Sequence, residues 1–208
     1  YPRINTRAKF SINPDTLPLD ETVLLPPRTN VREADLPVRF EALRQAARRL
    51  EVNRLLHANG RRTRYGFLAS GLAYCYLEHA LAELGLRGRW PILKLGLTYP
   101  IDPPPVLALA GQVEEVIVVE ERRGFLEAQV TQLVKEASQA GGLARVPRIW
   151  GKSFPSGLAG LPEVSGLNPS ILIERLGALL LTAPDPSVAI ERARVEQEVA
   201  KSEATRKG

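Results

Sequence analysis

Apolar and polar residues alternate between positions 65 and 121 in a succession of short strands and helices. Three apolar runs have the length and residue types of buried strands, and two segments with helical spacing join them with almost no spare loop. Strands and helices that alternate in this way build a parallel α/β sheet. The strands are predicted at 65–70, 90–96 and 116–120, and the helices at 72–84 and 106–111.

The pattern continues on both sides of this core. Before it, apolar residues at helical spacing predict a helix from Leu36 to about His57, with Pro37 in its first turn. After it, the sequence predicts a helix, a fourth strand, a glycine- and proline-rich loop and a last helix that Asn168 and Pro169 open. These four elements are predicted at 124–140, 146–150, 151–166 and 168–181.

The two ends of the chain differ from this core in composition. Residues 1–35 are rich in proline, which blocks helices, and they predict an extended arm. Residues 183–208 alternate acidic and basic side chains, and they predict either a surface helix or a linker toward a further domain. Between them, residues 36–182 are expected to form a three-layer α/β/α domain with a mainly parallel sheet.

Composition limits the classes of protein to which the chain can belong. Its 208 residues are 44% apolar and 25% charged, which suffices for one α/β core with extensions. No apolar run reaches ~18 residues, so we expect neither a membrane-spanning helix nor a membrane partner. The single cysteine, Cys75, fits a reducing compartment, and we expect a cytoplasmic protein. Because the chain begins at Tyr1 and contains no methionine, we interpret it as a segment of a longer polypeptide.

The net charge of +5 comes largely from arginines that cluster at 48–54 and at 61–64. A basic balance is compatible with nucleic acid, a membrane surface or an acidic protein. Nucleic-acid-binding modules interleave aromatic side chains with the basic ones, and these clusters do not. The clusters are therefore interpreted as solvated surface, and no nucleic-acid partner is expected.

Candidate functional residues share the edge of the predicted sheet where the strands end. Ser70 and Gly71 follow the first strand, at the position where parallel sheets bind ligands. They form either a backbone cradle for a phosphate or carboxylate, or the tight turn that a strand–helix unit needs. The loop formed by Thr98, Tyr99 and Pro100 follows the second strand, and we favour a domain interface over a pocket there.

Glu120 and Glu121 end the third strand at the same edge. This carboxylate pair could share a proton or receive a cation, but we favour capping of the next helix and an interdomain contact. His57 and His79 both fall on predicted helices and are interpreted as surface or helix-end residues. Cys75 lies in the middle of a predicted helix and is expected to pack inside. We assign no catalytic, cofactor-binding or metal-binding residue.

Several motifs, in order along the chain, resemble the indolepyruvate:ferredoxin oxidoreductases, which are thiamine-dependent 2-oxoacid:ferredoxin oxidoreductases. Within those enzymes the resemblance falls on the transketolase C-terminal-like domain, and it covers roughly 36–181. The elements LGLTYP and VVEE, in the right order, make the match fairly specific. The motifs are GFLASGLAY at 66–74, LKLGLTYP at 93–100, VIVVEE at 116–121, GK at 151–152 and LNP at 167–169.

The resemblance implies a sheet of about five strands, one of them antiparallel. We expect the fifth strand to come from the proline-rich arm or from the 151–166 loop. It also implies a homo-oligomeric parent enzyme that decarboxylates aryl or branched 2-oxoacids with thiamine diphosphate and Mg²⁺. That parent passes electrons through iron–sulfur clusters to ferredoxin and forms an acyl-coenzyme A. If coenzyme A contacts this segment, the edge with Ser70 and Thr98 is the expected place.

None of that machinery can be placed on this chain. The GDG…N motif for thiamine diphosphate is missing, and one cysteine cannot hold a four-cysteine cluster. The hypothesis is therefore a structural, non-catalytic domain that packs against the thiamine domains and is inactive by itself. Its rivals are a free-standing flavodoxin-like module that binds a ligand or protein, and the equivalent domain of a transketolase or a dehydrogenase E1 β chain.

Overall fold

The computed structural model describes residues 25–207. Six helices and five strands follow one another in this part of the chain. The strands are β1 (Arg54–Leu56), β2 (Thr63–Ser70), β3 (Ile92–Leu95), β4 (Val113–Val119) and β5 (Arg148–Trp150). The helices are α1 (Arg28–Arg49), α2 (Gly71–Glu83), α3 (Pro103–Ala110), α4 (Phe125–Gln139), α5 (Pro169–Thr182) and α6 (Arg192–Lys207).

The five strands form one mixed sheet in the order β1-β3-β2-β4-β5. Strands β2 to β5 are parallel to one another, whereas β1 runs antiparallel to β3 at the edge. The five-stranded sheet with one antiparallel strand is therefore confirmed. The fifth strand has a different origin from the one predicted, because it is formed by residues 54–56 and not by the arm or the 151–166 loop.

Two apolar cores, one on each face of the sheet, give the three-layer α/β/α architecture that was predicted. Helices α2 and α5 cover one face, with Phe67 and Ile117 at the centre of the core. Helices α3 and α4 cover the other face over Leu68 and Val118. Successive side chains of a strand point to opposite faces, so the continuous apolar runs of β2 and β4 supply both cores.

A buried carboxylate connects three strands within the sheet. The side chain of Glu115 on β4 is fully buried and accepts hydrogen bonds from the Arg64 and Arg148 guanidinium groups, each at 3.0 Å. The Trp150 indole N–H donates to its other oxygen at 2.6 Å. Burial of a charge is favourable only when it is paired and hydrogen-bonded, and these three donors from β2 and β5 satisfy that need.

The predicted helix before the sheet differs from the observed one at both ends. Helix α1 begins at Arg28, so part of the predicted extended arm is helical and Pro37 lies inside the helix. Residues 1–24 of the predicted arm lie outside the described residues. At its other end α1 stops at Arg49, and Glu51 has a positive φ of 49°, which turns the chain into β1. His57 consequently follows a strand and does not lie on a helix.

Residues Arg192–Lys207 of the charged tail form a helix, which is one of the two structures predicted for the tail. Helix α6 packs along α5, and its Val195 is fully buried in the core beside α5. The two helices approach closely at Gly177, where an added Cβ would collide with the side chain of Val199. The tail is thus part of the packed structure over the residues described.

Candidate interface at the carboxyl edge of the sheet

The connections of the sheet diverge between β2 and β4. The chain leaves β2 toward β3 on one side and leaves β4 toward β5 on the other. In open α/β sheets, the crevice outside the carboxyl ends of two such strands is where ligands bind. Ser70, Gly71 and Glu120 flank this position, so the predicted residues do meet at one edge. Gly71 opens α2 with a φ of +50°, which makes the strand–helix turn possible.

Glu120 places its own carboxylate at the amino end of α4, which is one of the anion-binding positions of this edge. Its two oxygens accept the backbone N–H groups of Leu126 at 2.7 Å and of Glu127 at 2.9 Å, at the start of α4. These N–H groups and the positive end of the helix dipole are what a phosphate would use. The predicted capping role of Glu120 is confirmed, whereas Glu121 beside it is exposed.

Glu127 and Lys152 complete this corner and were not among the predicted site residues. The Lys152 backbone N–H donates to the Glu127 carboxylate at 3.0 Å, and the Lys152 ammonium donates to the Glu120 carbonyl oxygen at 2.8 Å. An added Cβ at Gly151 would lie 2.6 Å from a Glu127 carboxylate oxygen. The glycine–lysine pair of the resemblance was the available sequence signal, and the contacts show why glycine is needed there.

Burial disfavours the charged forms of the Glu127 carboxyl and the Lys152 amine, and it shifts the pKa values of both. It raises the pKa of Glu127 above its ordinary value, although the Lys152 N–H and ammonium oppose the shift. It lowers the pKa of Lys152, against the opposing carboxylates of Glu120, Glu127 and Glu163. Both groups are tied to backbone atoms, so this corner holds the 151–166 loop onto α4.

The LGLTYP motif forms the loop after β3 and is held by the segment that enters the sheet. The Asn53 side-chain oxygen accepts the backbone N–H groups of Gly96 and Leu97, each at 3.0 Å. An added Cβ at Gly96 would lie 2.6 Å from the carbonyl oxygen of Val52. Thr98 is held from the other side, because its carbonyl oxygen accepts a hydrogen bond from the Gln129 amide at 3.2 Å. The Tyr99–Pro100 peptide bond is cis.

Two arginines fasten the end of the same loop. The Asp102 carboxylate, 1% exposed, receives the guanidinium group of Arg48 at 2.5 to 3.0 Å. The Arg44 guanidinium donates to the carbonyl oxygen of Ile101 at 2.9 Å. Asp102 precedes α3 without capping it through its side chain, so its carboxylate serves this ion pair. The polar atoms of the motif loop are therefore largely engaged in structural contacts.

Three apolar side chains remain on the surface of this edge. They are Leu72, Tyr99 and Phe125, which are 57%, 56% and 54% exposed and follow β2, β3 and β4 respectively. The rings of Tyr99 and Phe125 lie with their centroids 6.3 Å apart. We call these three residues the carboxyl-edge patch. Exposed apolar groups that cluster at one edge are typical of a protein–protein contact.

The remaining candidates for chemistry are dispersed. Cys75 is exposed on α2, which corrects the prediction that it packs inside; the buried positions of that helix include Ala73 and Leu77. His57 lies 3.6 Å from the Glu78 carboxylate, and His79 is exposed. Within residues 25–207, no three His, Cys, Asp or Glu side chains are grouped as a metal site would require. No helix in this range is long and apolar enough to cross a membrane.

Comparison with known proteins identifies the family. Residues 56–204 match the family described as the indolepyruvate oxidoreductase domain, which is well over half of the chain. The chain belongs to the indolepyruvate oxidoreductase family. The matched range runs from the last residue of β1 into α6 and contains the whole carboxyl edge.

Curated relatives carry this segment within a much longer protein. The chain is 34% identical to the indolepyruvate oxidoreductase subunit IorA of Methanothermobacter marburgensis over 111 residues, which cover 53% of the chain and 18% of that protein. It is 29% identical to the IorA subunit of Archaeoglobus fulgidus over 125 residues, which cover 60% of the chain and 18% of that protein. It is 38% identical to the IorA subunit of Pyrococcus horikoshii over 65 residues, which cover 31% of the chain and 10% of that protein. The chain thus spans less than a fifth of these relatives.

Proposed function

We propose that this chain is a structural, non-catalytic domain of a thiamine diphosphate-dependent 2-oxoacid:ferredoxin oxidoreductase of the indolepyruvate type. The observation that carries the proposal is the Glu120 carboxylate, which occupies the amino end of α4 beside the crevice between β2 and β4. One of the helix ends at which an α/β sheet can bind a phosphate is therefore occupied by the protein itself. The edge around it presents the apolar carboxyl-edge patch, which suits contact with another domain.

The residues present do not fit the cofactors of the parent. A four-iron cluster needs four cysteine thiolates, and the chain has one cysteine, exposed on α2. A diphosphate at the amino end of α4 would have to displace the Glu120 carboxylate. In this proposal, thiamine diphosphate, Mg²⁺ and the iron–sulfur clusters belong to other domains or subunits of a cytoplasmic, homo-oligomeric parent. Ferredoxin and coenzyme A are the partners of that parent, which forms an acyl-coenzyme A. Family membership and the small share of IorA that the chain spans support this assignment.

The isolated chain provides the first test. Incubated with indolepyruvate, thiamine diphosphate and Mg²⁺, it is expected to release no carbon dioxide above the buffer rate. Calorimetric titration with thiamine diphosphate is expected to give no binding heat. Measurable turnover, or a saturable isotherm, would contradict a non-catalytic role.

The second test addresses the contact with the rest of the enzyme. In the full-length parent, Leu72→Ser removes an exposed apolar group from the carboxyl-edge patch, and Val146→Ser is the matched control. Val146 is 55% exposed, close to the 57% of Leu72, but it precedes β5 at the opposite edge of the sheet. Leu72→Ser is expected to weaken assembly or thermal stability of the parent while the isolated chain is unaffected. Equal behaviour of the two variants in the parent would refute the interface.

A further inference from the structure

A polar cavity of about 270 Å³ lies at the amino edge of the sheet, opposite the carboxyl-edge patch. Three stretches of chain meet there: the residues before β2, the loop before β3 and the connection between α5 and α6. The cavity is more enclosed than the two mainly apolar grooves beside α4. Its walls are formed by residues 59, 61–63, 88–89 and 187–189.

A buried carboxylate connects these three stretches to one another. One oxygen of Asp185 accepts the Arg64 backbone N–H at 2.9 Å and the Trp90 indole N–H at 2.8 Å. The other accepts the backbone N–H and the hydroxyl group of Ser187 at 2.9 and 2.6 Å. Asp185 is 2% exposed, and its lone pairs point at these donors. The cavity is therefore preformed, and its nearest buried carboxylate is already satisfied.

The cavity carries an excess of positive charge. Within the part of the chain that the structure describes, the guanidinium groups of Arg61 and Arg89 have no carboxylate or carbonyl partner, and both side chains are exposed. Arg62 has one acidic neighbour, Glu114, at 3.9 Å, and that carboxylate is itself 53% exposed. Such a pair contributes little in water, so it leaves Arg62 available to a ligand. Three arginines thus line one small volume, and the Glu114 carboxylate beside Arg62 is their one acidic neighbour among the described ion pairs.

We infer that this cavity binds a phosphate-class oxyanion, either inorganic phosphate or the phosphomonoester end of a small ligand. The planar fork of a guanidinium group matches two oxygens of a phosphate, and several such groups around one anion make charge-assisted hydrogen bonds. The volume is slightly below the range of about 300–1,000 Å³ that is typical of pockets for drug-sized ligands, which favours a small anionic group.

The site is tested on the full 208-residue chain with inorganic phosphate as the probe. Amide NMR spectra are recorded during a phosphate titration at constant ionic strength, balanced with sodium chloride. We expect saturable shifts at residues 61–63, 88–89 and 187–189. The double variant Arg61→Gln/Arg89→Gln should weaken binding by at least about tenfold, since one hydrogen bond to a charged group contributes about 1.5–3 kcal/mol.

A charge-matched variant separates a defined site from general attraction. Arg123→Gln/Arg145→Gln removes the same charge from two exposed positions outside the cavity, and it should leave the phosphate affinity unchanged within about twofold. Thermal unfolding of both variants verifies that they remain folded. Absence of saturable shifts, or equal weakening in both variants, overturns the inference.

A second arm distinguishes the two sources of the anion. Glycerol 3-phosphate competes with inorganic phosphate for the same amides if a phosphomonoester fits. If it causes no shift, the site takes the free ion alone. The inference concerns the amino edge and does not depend on the proposed structural role, so the failure of either leaves the other standing.

Discussion

Gly96 lies against Val52 so closely that an added Cβ would be 2.6 Å from the Val52 carbonyl oxygen. This approach lets Asn53 reach the backbone N–H groups at 96 and 97 and brings β1 alongside β3. The glycine of the LGLTYP motif is thereby explained by packing of backbone on backbone. The contacts of Gly96 indicate a structural role and no catalytic one.

Gly96→Ala is expected to destabilise the chain by about 1–3 kcal/mol, because the backbone at Val52 has to move. Urea unfolding followed by circular dichroism measures the change. Gly111→Ala is the matched control, since an added Cβ there meets its nearest neighbour at 3.4 Å and the backbone is already helical. A loss of stability at Gly111 as large as at Gly96 would contradict this explanation.

The same contacts show why β1 could not be predicted. Residues 54–56 continue an apolar spacing that fits the preceding helix, and three residues are too few for a strand pattern to emerge. The β1 pairing depends on Val52 and Asn53 meeting the loop after β3, which is distant in the sequence. Strand β4 was predictable from its long β-branched run. Strands β2, β3 and β5 were predictable because turn residues bound their apolar runs, as Pro147 and Gly151 do for the equally short β5.

The location of the candidate residues at the carboxyl edge was predictable from the sequence, but only some of their contacts were. Strand ends locate Ser70 and Glu120, because parallel strands end at one edge of a sheet. The tie between Glu127 and Lys152 joins a helix to a loop beyond the next strand, and no local pattern reports it. Cys75 was misplaced because its apolar neighbours suggested burial, whereas the face of α2 that meets the sheet carries Ala73, Leu77 and Ala80.

Glu120→Ala is expected to free the first turn of α4. It removes the acceptor of two backbone N–H groups, and the loss of a helix cap costs about 0.5–2 kcal/mol. Amide hydrogen exchange at Leu126 and Glu127 should accelerate strongly in the variant. The exposed neighbour Glu121, replaced by alanine, serves as control. Unchanged exchange in Glu120→Ala would show that the carboxylate does not hold the helix.

Asp185 is expected to make stability depend on pH in the acid range. Burial alone would raise the pKa of this carboxyl, but hydrogen bonds from Ser187, Trp90 and the Arg64 N–H lower it below its ordinary 3.8. Because the pKa of Asp185 is lower in the folded state, the ionised carboxylate contributes its full stabilisation at pH values above 3.8. The contribution is lost as the pH falls through the lower, folded pKa.

Comparison with Asp185→Asn isolates this contribution. At pH 7 the variant should be less stable by about 1.5–3 kcal/mol, the range for hydrogen bonds to a charged group. The difference should shrink as the pH falls below about 4. The exposed Asp35→Asn measures the background from other carboxyl groups. A stability difference between Asp185→Asn and the unsubstituted chain that stays constant from pH 7 to pH 3 would be inconsistent with the lowered pKa of Asp185.

Tyr65 is expected to make stability depend on pH at the alkaline end. Its ring is fully buried, and its hydroxyl group donates to the Ala183 carbonyl oxygen at 2.5 Å. Burial raises its pKa from 10.0 to about 12, against the opposing guanidinium group of Arg64. Because the pKa of Tyr65 is higher in the folded state, its neutral hydroxyl group contributes fully to stability below pH 10. That contribution is lost as the pH rises toward 12, because the unfolded chain ionises first.

The comparison with Tyr65→Phe tests both parts of this statement. At pH 8 the variant should be less stable by about 1 kcal/mol, because it lacks the hydrogen bond to Ala183. Between pH 10 and 12 the unsubstituted chain should lose this advantage over Tyr65→Phe. Tyr76→Phe, on the same face of the sheet, measures the effect of removing a different hydroxyl group. Ultraviolet absorbance during titration measures late phenol ionisation. Burial also raises the pKa of Tyr74, so only the part of the late ionisation that disappears in Tyr65→Phe belongs to Tyr65. If the late ionisation is unchanged in Tyr65→Phe, Tyr65 does not hold α5 to β2 through a protected hydroxyl group.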